Sequence, residues 1–354
     1  MKNMNSLDDV TKTIKRPLIK VEEDWSLIGH VAFGLIDRGT NVIQVRPITT
    51  CPLCCIFCSV DAGPCSRYRQ AEYIVPLDLI IDWFKAIVKF KGIDDIQAHI
   101  DTVGDPFTYP YLVDLVQELS SIKEVKVISL ETHGPLLNEK IIDELESAGL
   151  TRVNLSIDSL DPKLAKVLAG CEWFDIEKVK KMAEYIARNT KLDIIITPVW
   201  VPKLNDNEIP KIIEFALKIG AGKKCPPLGI QKYEVHKYGR KPKGVKPMTW
   251  REFYSKLKEW ERVYNVKLVL RPEDFNIRKV RAIPLAFKLG EKVRVKVIGI
   301  GWFKGQLIGL ARNRVITIVG VKEYVDDISQ LIGNYIKVRI VRVKDNIYVG
   351  RMEI

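Results

Sequence analysis

Five of the chain's seven cysteines fall within fifteen residues, at positions 51, 54, 55, 58 and 65. Structural disulfides are usually spread so as to close long loops, so thiols this crowded point to metal ligation. The segment from Thr50 reads TCPLCCIFC, and Cys51, Cys55 and Cys58 give a C-x3-C-x2-C spacing. Three thiolates on one short loop can each hold one iron of a 4Fe–4S cubane, leaving the fourth iron open for chemistry. Zinc is the alternative, with Cys54 or Cys65 as a fourth ligand. The x3/x2 spacing and the lack of a distant Cys or His pair argue against it. Cys54, Cys65, Cys171 and Cys225 remain. They could ligate a second cluster, although the paired C-x2-C spacings are missing, and Cys225 in GKKCPPLG could act as a catalytic thiol. The preferred reading is four small, semi-buried residues.

Such a loop needs a scaffold, and the pattern around it supplies one. Short β-branched runs occur at 42–45, 96–100, 125–130, 153–157, 194–199 and 229–233. Segments of helical period lie between most of them, at 77–90, 111–120, 139–148, 176–189 and 208–219. Six strands alternating with helices predict a parallel sheet with right-handed crossovers, an α/β fold whose chemistry lies at the carboxyl ends of the strands. The cysteine loop follows the first of these strands. A helix is expected at 250–264 and a strand at 266–270. From about residue 290 the period changes to two, with Val and Ile alternating with Lys and Arg and broken by Gly, as in a small twisted all-β barrel. The expected organisation is an N-terminal arm at 1–40, an α/β barrel at 41–240, a basic linker with a helical extension at 241–288, and a β-barrel at 289–354.

Composition narrows the function classes. The chain has 354 residues, 47% of them hydrophobic and 28% charged, so disorder is excluded for most of it. The longest apolar stretches, such as 194–201, fall far short of the roughly 18–20 residues of a spanning helix. The N-terminus lacks an apolar secretory region, and a cytoplasmic location without membrane association is expected. The net charge of +12 is segregated. Residues 288–354 hold 13 Lys and Arg against 6 Asp and Glu, and residues 232–248 hold 6 against 1. Either this suits a polyanion partner, or it is the solvated, lysine-rich surface of a heat-adapted protein.

The cysteine motif resembles that of the radical S-adenosylmethionine (SAM) superfamily, over roughly residues 41–234. The resemblance implies a partial (β/α)6 barrel, with Cys51, Cys55 and Cys58 binding a 4Fe–4S cluster and Phe57 packing near the adenine of SAM. It also implies reductive cleavage of SAM to methionine and a 5′-deoxyadenosyl radical that abstracts a substrate hydrogen. An electron donor such as ferredoxin or flavodoxin is then required. In DTVGDPFTYP, Val103, Gly104, Asp105 and Pro106 resemble the family's Gly-Gly-Glu-Pro loop, so Gly104 and Asp105 are carried over as SAM contacts. ETHG resembles the Thr-Asn-Gly-type loop and adds Glu131 and Thr132. RVNLSIDSLD resembles the family's fourth strand and adds Ser156 and Asp158 for ribose or carboxylate. Singly, Asp105 could equally be a turn residue, and Ser156 and Asp158 a strand end or helix cap. His99 and His133 flank predicted strand ends.

The two basic segments suggest the substrate. QKYEVHKYGRKP combines His236 and Tyr238 with Lys237, Arg240, Lys241 and Lys243, a composition suited to phosphate contact and base stacking, or else to a solvated linker. Residues 289–354 resemble a TRAM domain, a small OB-like barrel that commonly binds tRNA or other RNA. The resemblance makes Lys292, Arg294, Lys296, Lys304, Arg312, Arg314, Arg339 and Arg342 candidate RNA cations and Trp302 a stacking face. The alternative is a generic dimerisation or capping barrel. The combination is similar to an archaeal-type group of Fe–S oxidoreductases with a C-terminal TRAM domain. Unlike the tRNA methylthiotransferases, the chain has no room before Cys51 for an N-terminal three-cysteine domain, and no cobalamin-binding segment is seen. The expected activity is therefore modification of a nucleotide in structured RNA, tRNA foremost, with the target base flipped out to reach the radical. Two other readings stay open. One is a radical enzyme acting on a metabolite, lipid precursor or peptide, with the barrel serving assembly. The other is a non-catalytic iron–sulfur RNA sensor.

Overall fold

The computed structural model describes residues 15–353. Residues 1–14, which are the first third of the expected arm and most of the N-terminal segment read for a secretory signal, and the last barrel residue, Ile354, lie outside the described residues. Five parallel strands form the centre of the main sheet: β3 (Val42–Arg46), β5 (Ile96–Ile100), β6 (Val125–Thr132), β7 (Arg152–Leu155) and β8 (Asp193–Ile196). They neighbour one another in chain order, as right-handed crossovers in a partial barrel require. The expected sixth strand at 229–233 is reduced to β10 (Gln231–Lys232), which pairs in parallel with β9 (Val199–Trp200), while Leu228 bridges Ile196. Pro226 and Pro227, just before it, lack the N–H that a longer ladder would need.

Where it is described, the expected arm belongs to the body. β1 (Leu18–Lys20) pairs with β4 (Glu72–Ile74), and β2 (Gly34–Asp37) adds an antiparallel edge to β3. Every residue of GLID in β2 is buried, and a four-residue run buried on both faces has no alternation to read. The helices at Leu77–Lys91, Leu112–Ser120, Glu139–Ala148, Ile176–Asn189 and Glu208–Ile219 follow the periodicity. Helix Pro162–Ala169 was not anticipated. It starts on an Asp161 cap with Pro at its first position, and ends on Gly170 in the left-handed conformation at φ +64. Helix Trp250–Tyr264 matches expectation, but the strand expected at 266–270 does not form. The N–H groups of Leu268 and Val269 both donate to the Glu261 carboxylate, at 2.8 Å, and so leave no donors for a ladder.

The C-terminal region closes into a five-stranded barrel of β11 (Lys292–Ile300), β12 (Leu307–Ala311), β13 (Arg314–Val319), β14 (Tyr335–Arg342) and β15 (Val349–Glu353). In β11 the cations are exposed and the valines buried in strict alternation, the period of two that the sequence displays. The barrel is bonded tightly to the body. Val315 N–H donates to Ile28 O at 3.0 Å, Tyr348 N–H to Gly29 O at 2.9 Å, and the Tyr73 hydroxyl to Ile300 O at 2.8 Å. Gly29 sits at φ +130, and a Cβ there would lie 2.0 Å from Val315 O, so only glycine allows this approach. The segment after helix Trp250–Tyr264 is tied down by a fully buried ion pair: Lys91 Nζ lies 2.7 Å from Asp37, whose other oxygen accepts Ile283 N–H at 2.8 Å. Among the described residues no helix is long and apolar enough to cross a membrane.

Candidate active site

The carboxyl ends of the strands open into a cavity of about 530 Å³. Cys51, Cys55, Cys58 and Phe57 line one side, and Gly104, Glu131, Thr132, His133 and Ser156 line the ends of β5, β6 and β7. The three cysteines are free thiols. Backbone contacts from two neighbouring elements fix the loop that carries them. Cys54 N–H and Ile56 N–H donate to Ala169 O and Leu168 O at the end of helix Pro162–Ala169, each at 3.0 Å. A Cβ on Gly170 would meet Cys54 O at 2.2 Å, and one on Gly104 would meet Thr50 O at 2.0 Å. These two glycines let the helix end and the 103–106 loop close on the cysteine loop from both sides.

Cys54 and Cys65 pair with each other as a disulfide, which overturns both their reading as free semi-buried residues and their use as a fourth zinc ligand. The crowding that argued against disulfides reflects two roles sharing one loop. Cys225 lies away from the cavity, where Arg152 Nη1 approaches its sulfur at 3.4 Å and burial raises its pKa. His99 likewise turns to a neighbour, with Nδ1 2.9 Å from Ser129 Oγ.

The carried-over SAM residues divide by position. Phe57, Gly104, Glu131, Thr132 and Ser156 line the cavity. Asp105 and Asp158 stand behind it. Asp105 is buried, accepts Phe107 N–H at 3.0 Å and Thr132 Oγ1–H at 2.8 Å, and has its pKa raised by burial. It therefore orients Thr132, which faces the cavity. Asp158 accepts Val199 N–H at 2.8 Å and lies 3.6 Å from His133 Nε2. Burial opposes a charge on His133, but Cys55 and Asp158 outweigh it and raise its pKa well above the ordinary value. Burial raises the Glu131 carboxyl, with the Asp101 charge adding to the effect. Gln231 reaches across to bond Glu131 at 3.2 Å.

The cavity fits a bound polar cofactor. Two buried polar atoms on its wall, Arg46 Nε and Tyr233 Oη, have no hydrogen-bond partner, and His133 Nε2 has only the 3.6 Å contact with Asp158; an unpaired buried polar group is costly. The Cys51 thiol is pushed up by burial, then by the neighbouring Asp105 and Cys55. Thiolates so placed need a metal charge to be stable together. Cys51, Cys55 and Cys58 would hold a 4Fe–4S cluster, which with SAM supplies one-electron cleavage chemistry.

Two arginines brace this wall: Arg69, which the sequence does not single out, and Arg240, expected as an RNA contact. Arg69 is fully buried and bonds Val60 O at 3.0 Å, Thr49 O at 2.8 Å and Val103 O, while pairing with Glu72 at 3.0 Å. It thus ties β3's end, the cysteine loop and the 103–106 loop together. Its guanidinium lies 4.7 Å over the Trp302 ring, which is 3% exposed. Trp302 therefore cannot offer a stacking face; it is part of the seam between barrel and body. Arg240 is also not a surface cation. Its Nη1 donates to Cys55 O at 2.9 Å, its Nε to Asp61 at 2.9 Å, its Nη2 to Ala62 O, and its backbone N–H to Cys58 O at 2.9 Å. Asp61 in turn accepts the backbone N–H groups of Arg67 and Tyr68. Single-sequence reading had no signal separating Arg240 from its lysine neighbours.

The other candidate RNA cations sort by pairing. Arg312 pairs with Glu291 at 2.6 Å, and Arg339 and Lys292 share Glu353 at 2.5 and 3.3 Å. Arg294 lies 4.7 Å over Tyr335, and Arg314 donates to Asn313 O. Among the described residues Lys237, Lys241, Lys296, Lys304 and Arg342 are not among the ion pairs. Tyr238 stacks on Phe303 at 4.2 Å, which brings the 233–248 segment from the cavity rim onto the barrel.

A radical SAM superfamily model matches residues 45–216. An uncharacterized protein of Methanocaldococcus jannaschii is 44% identical over 360 residues, which cover 97% of this chain and 82% of that one. GTP 3′,8-cyclase of Alkaliphilus oremlandii is 30% identical over 184 residues, 52% of this chain and 54% of the cyclase, so the chain spans about half the length of that relative. Among solved structures, Streptococcus suis SuiB bound to precursor peptide SuiA matches with a TM-score of 0.50 at 18% identity. That match covers 66% of this chain and 48% of SuiB, a likeness of fold alone. The sequence match runs from the end of β3 well past the cysteine loop, and it makes this chain a member of the radical SAM superfamily, whose enzymes use a 4Fe–4S cluster and S-adenosylmethionine.

Proposed function

We infer that this radical SAM enzyme modifies a nucleotide in a structured RNA, tRNA foremost. The observation that carries this reading is a run of exposed cations that, among the described residues, belong to no ion pair: Lys237, Lys241, Lys243 and Lys246 beside the cavity rim, and Lys296, Lys304 and Arg342 on the barrel. His236 lines the cavity beside the Lys232–Glu234 ion pair, Lys237 lies 5.0 Å over the Tyr238 ring, and Tyr238 stacks on Phe303 of the barrel. On the barrel, β11 and β14 set Lys292 opposite Arg339 and Arg294 opposite Lys337. Like charges directly opposite on a ladder destabilise it, and Glu353 alone is shared among them, so a polyanion would relieve this face. The barrel's closed five-stranded form is compatible with the TRAM-like, OB-like resemblance. The GTP 3′,8-cyclase relatives act on a nucleotide as their name states.

The 5′-deoxyadenosyl chemistry would occur at the Cys51, Cys55 and Cys58 side. The orphaned Arg46 Nε and Tyr233 Oη would bond SAM or the substrate. Nucleoside mass spectrometry on tRNA and rRNA from a deletion strain and its parent tests the reading. One modified nucleoside should be missing in the deletion strain, with its precursor accumulating. An unchanged profile would move the substrate to the metabolite or peptide class.

A further inference from the structure

The basic segment ends in an exposed pair of aromatic rings that sequence periodicity does not single out. Trp250 and Tyr254 open the helix Trp250–Tyr264 and expose 54% and 42% of their surfaces. Among the seven tryptophans only Trp250 is exposed. The two rings stack with centroids 5.6 Å apart and planes 23° from parallel.

Their placement is rigid. A capping box between Thr249 and Glu252 fixes the first turn, with Thr249 N–H donating to Glu252 at 2.7 Å. Phe253, buried between them, meets the Trp250 edge at 5.9 Å and packs against Trp200 at 6.0 Å. The shelf also adjoins the cavity. Lys232 lines the cavity and lies with Nζ 4.7 Å over the Trp250 ring. In the chain leading into and opening this helix, Lys241, Lys243, Lys246 and Arg251 are exposed, and among the described residues they are not part of any ion pair.

Held aromatic faces beside unpaired cations match the chemistry of a single-stranded nucleic acid, in which bases stack and phosphates pair. We propose that Trp250 and Tyr254 form a stacking shelf for the base that neighbours the one entering the cavity. The inference rests on the RNA reading and names where the flanking nucleotide is held. A flipped target leaves its neighbour unstacked on one side, and this shelf supplies the lost stacking partner.

The test measures binding of unmodified tRNA to the full chain across a salt series, for the native protein and two double variants. Trp250→Ala/Tyr254→Ala should weaken binding roughly ten-fold or more while leaving the salt slope unchanged, because stacking releases no counterions. Trp250→Phe/Tyr254→Phe should retain most of the affinity. RNA should also quench native tryptophan fluorescence, and this quenching should be lost in the Phe variant. Native binding that both variants share unchanged would overturn the shelf and leave the RNA reading standing. Absence of native binding would remove the RNA reading and the shelf with it. A native dimer that the Ala variant dissociates would assign the rings to a second copy of the chain instead.

Discussion

The two basic regions look alike as strings of residues and differ as structures. In the barrel, cations alternate with buried valines, and several are held by carboxylates: Arg312 by Glu291, and Lys292 and Arg339 by Glu353. In the segment from 232 to 251 the charges split into two kinds. Arg240 is built into the wall of the cysteine loop and Lys232 is paired with Glu234, while Lys237, Lys241, Lys243 and Lys246 project into solvent without such partners. Net charge therefore overstates what the barrel offers an anion and understates what the cavity rim offers. It also hides that two cations of the rim, Lys232 and Arg240, are already held by carboxylates.

The largest test of that division is Arg240→Gln. It strands Asp61 and two carbonyls of the cysteine loop, and removing one partner of a mostly buried pair costs about 3 kcal/mol. Denaturant unfolding of the cluster-free chain should show that loss, and iron retention after reconstitution should fall. An unfolding midpoint like the native one would return Arg240 to the surface cations.

The seam beneath both regions comes next. His30 is buried against Phe33 and Arg46, and burial first, then the Arg46 charge, lowers its pKa to about 3. The folded chain keeps it neutral while the unfolded chain takes up a proton near 6.5. Stability is thus complete above that value and falls as the pH drops toward 3, by about 2 kcal/mol between pH 6.5 and 5. Native and His30→Phe stability profiles should diverge across that window; parallel profiles would contradict the assignment.

Smaller effects then separate the two regions by their RNA contacts. Lys241→Ala/Lys243→Ala should weaken tRNA binding about ten-fold and lower the salt slope by about two. Arg312→Ala/Arg339→Ala should change affinity by no more than about three-fold, because those guanidinium groups already face carboxylates. The reverse ranking would make the barrel, not the rim, the principal anion site.

Much of the scaffold was legible because periodicity was long. Five helices between the strands and the alternating barrel strands carry enough residues for a period to show. Short elements were not: β2 has four buried residues, and helix Pro162–Ala169 has eight. The latter carried its signals in Asp161, Pro162 and Gly170, yet its role in bracing the cysteine loop is a matter of tertiary contact. The chemistry-bearing motif was legible because three thiols on one loop have few other uses. The roles of Arg240 and Trp302 were not, since a cation or ring acquires its role from what is folded over it. Asp105 shows the same limit, with a motif position placing it near the site and hydrogen bonds turning it toward Thr132.

The most direct measurement of the central claim is 5′-deoxyadenosine formation by the reconstituted, reduced enzyme given tRNA from a deletion strain or from its parent. Deletion-strain tRNA, still unmodified, should stimulate product formation in step with a new modified nucleoside, and parental tRNA should not. Equal formation with both, or none above the RNA-free rate, would contradict an RNA substrate.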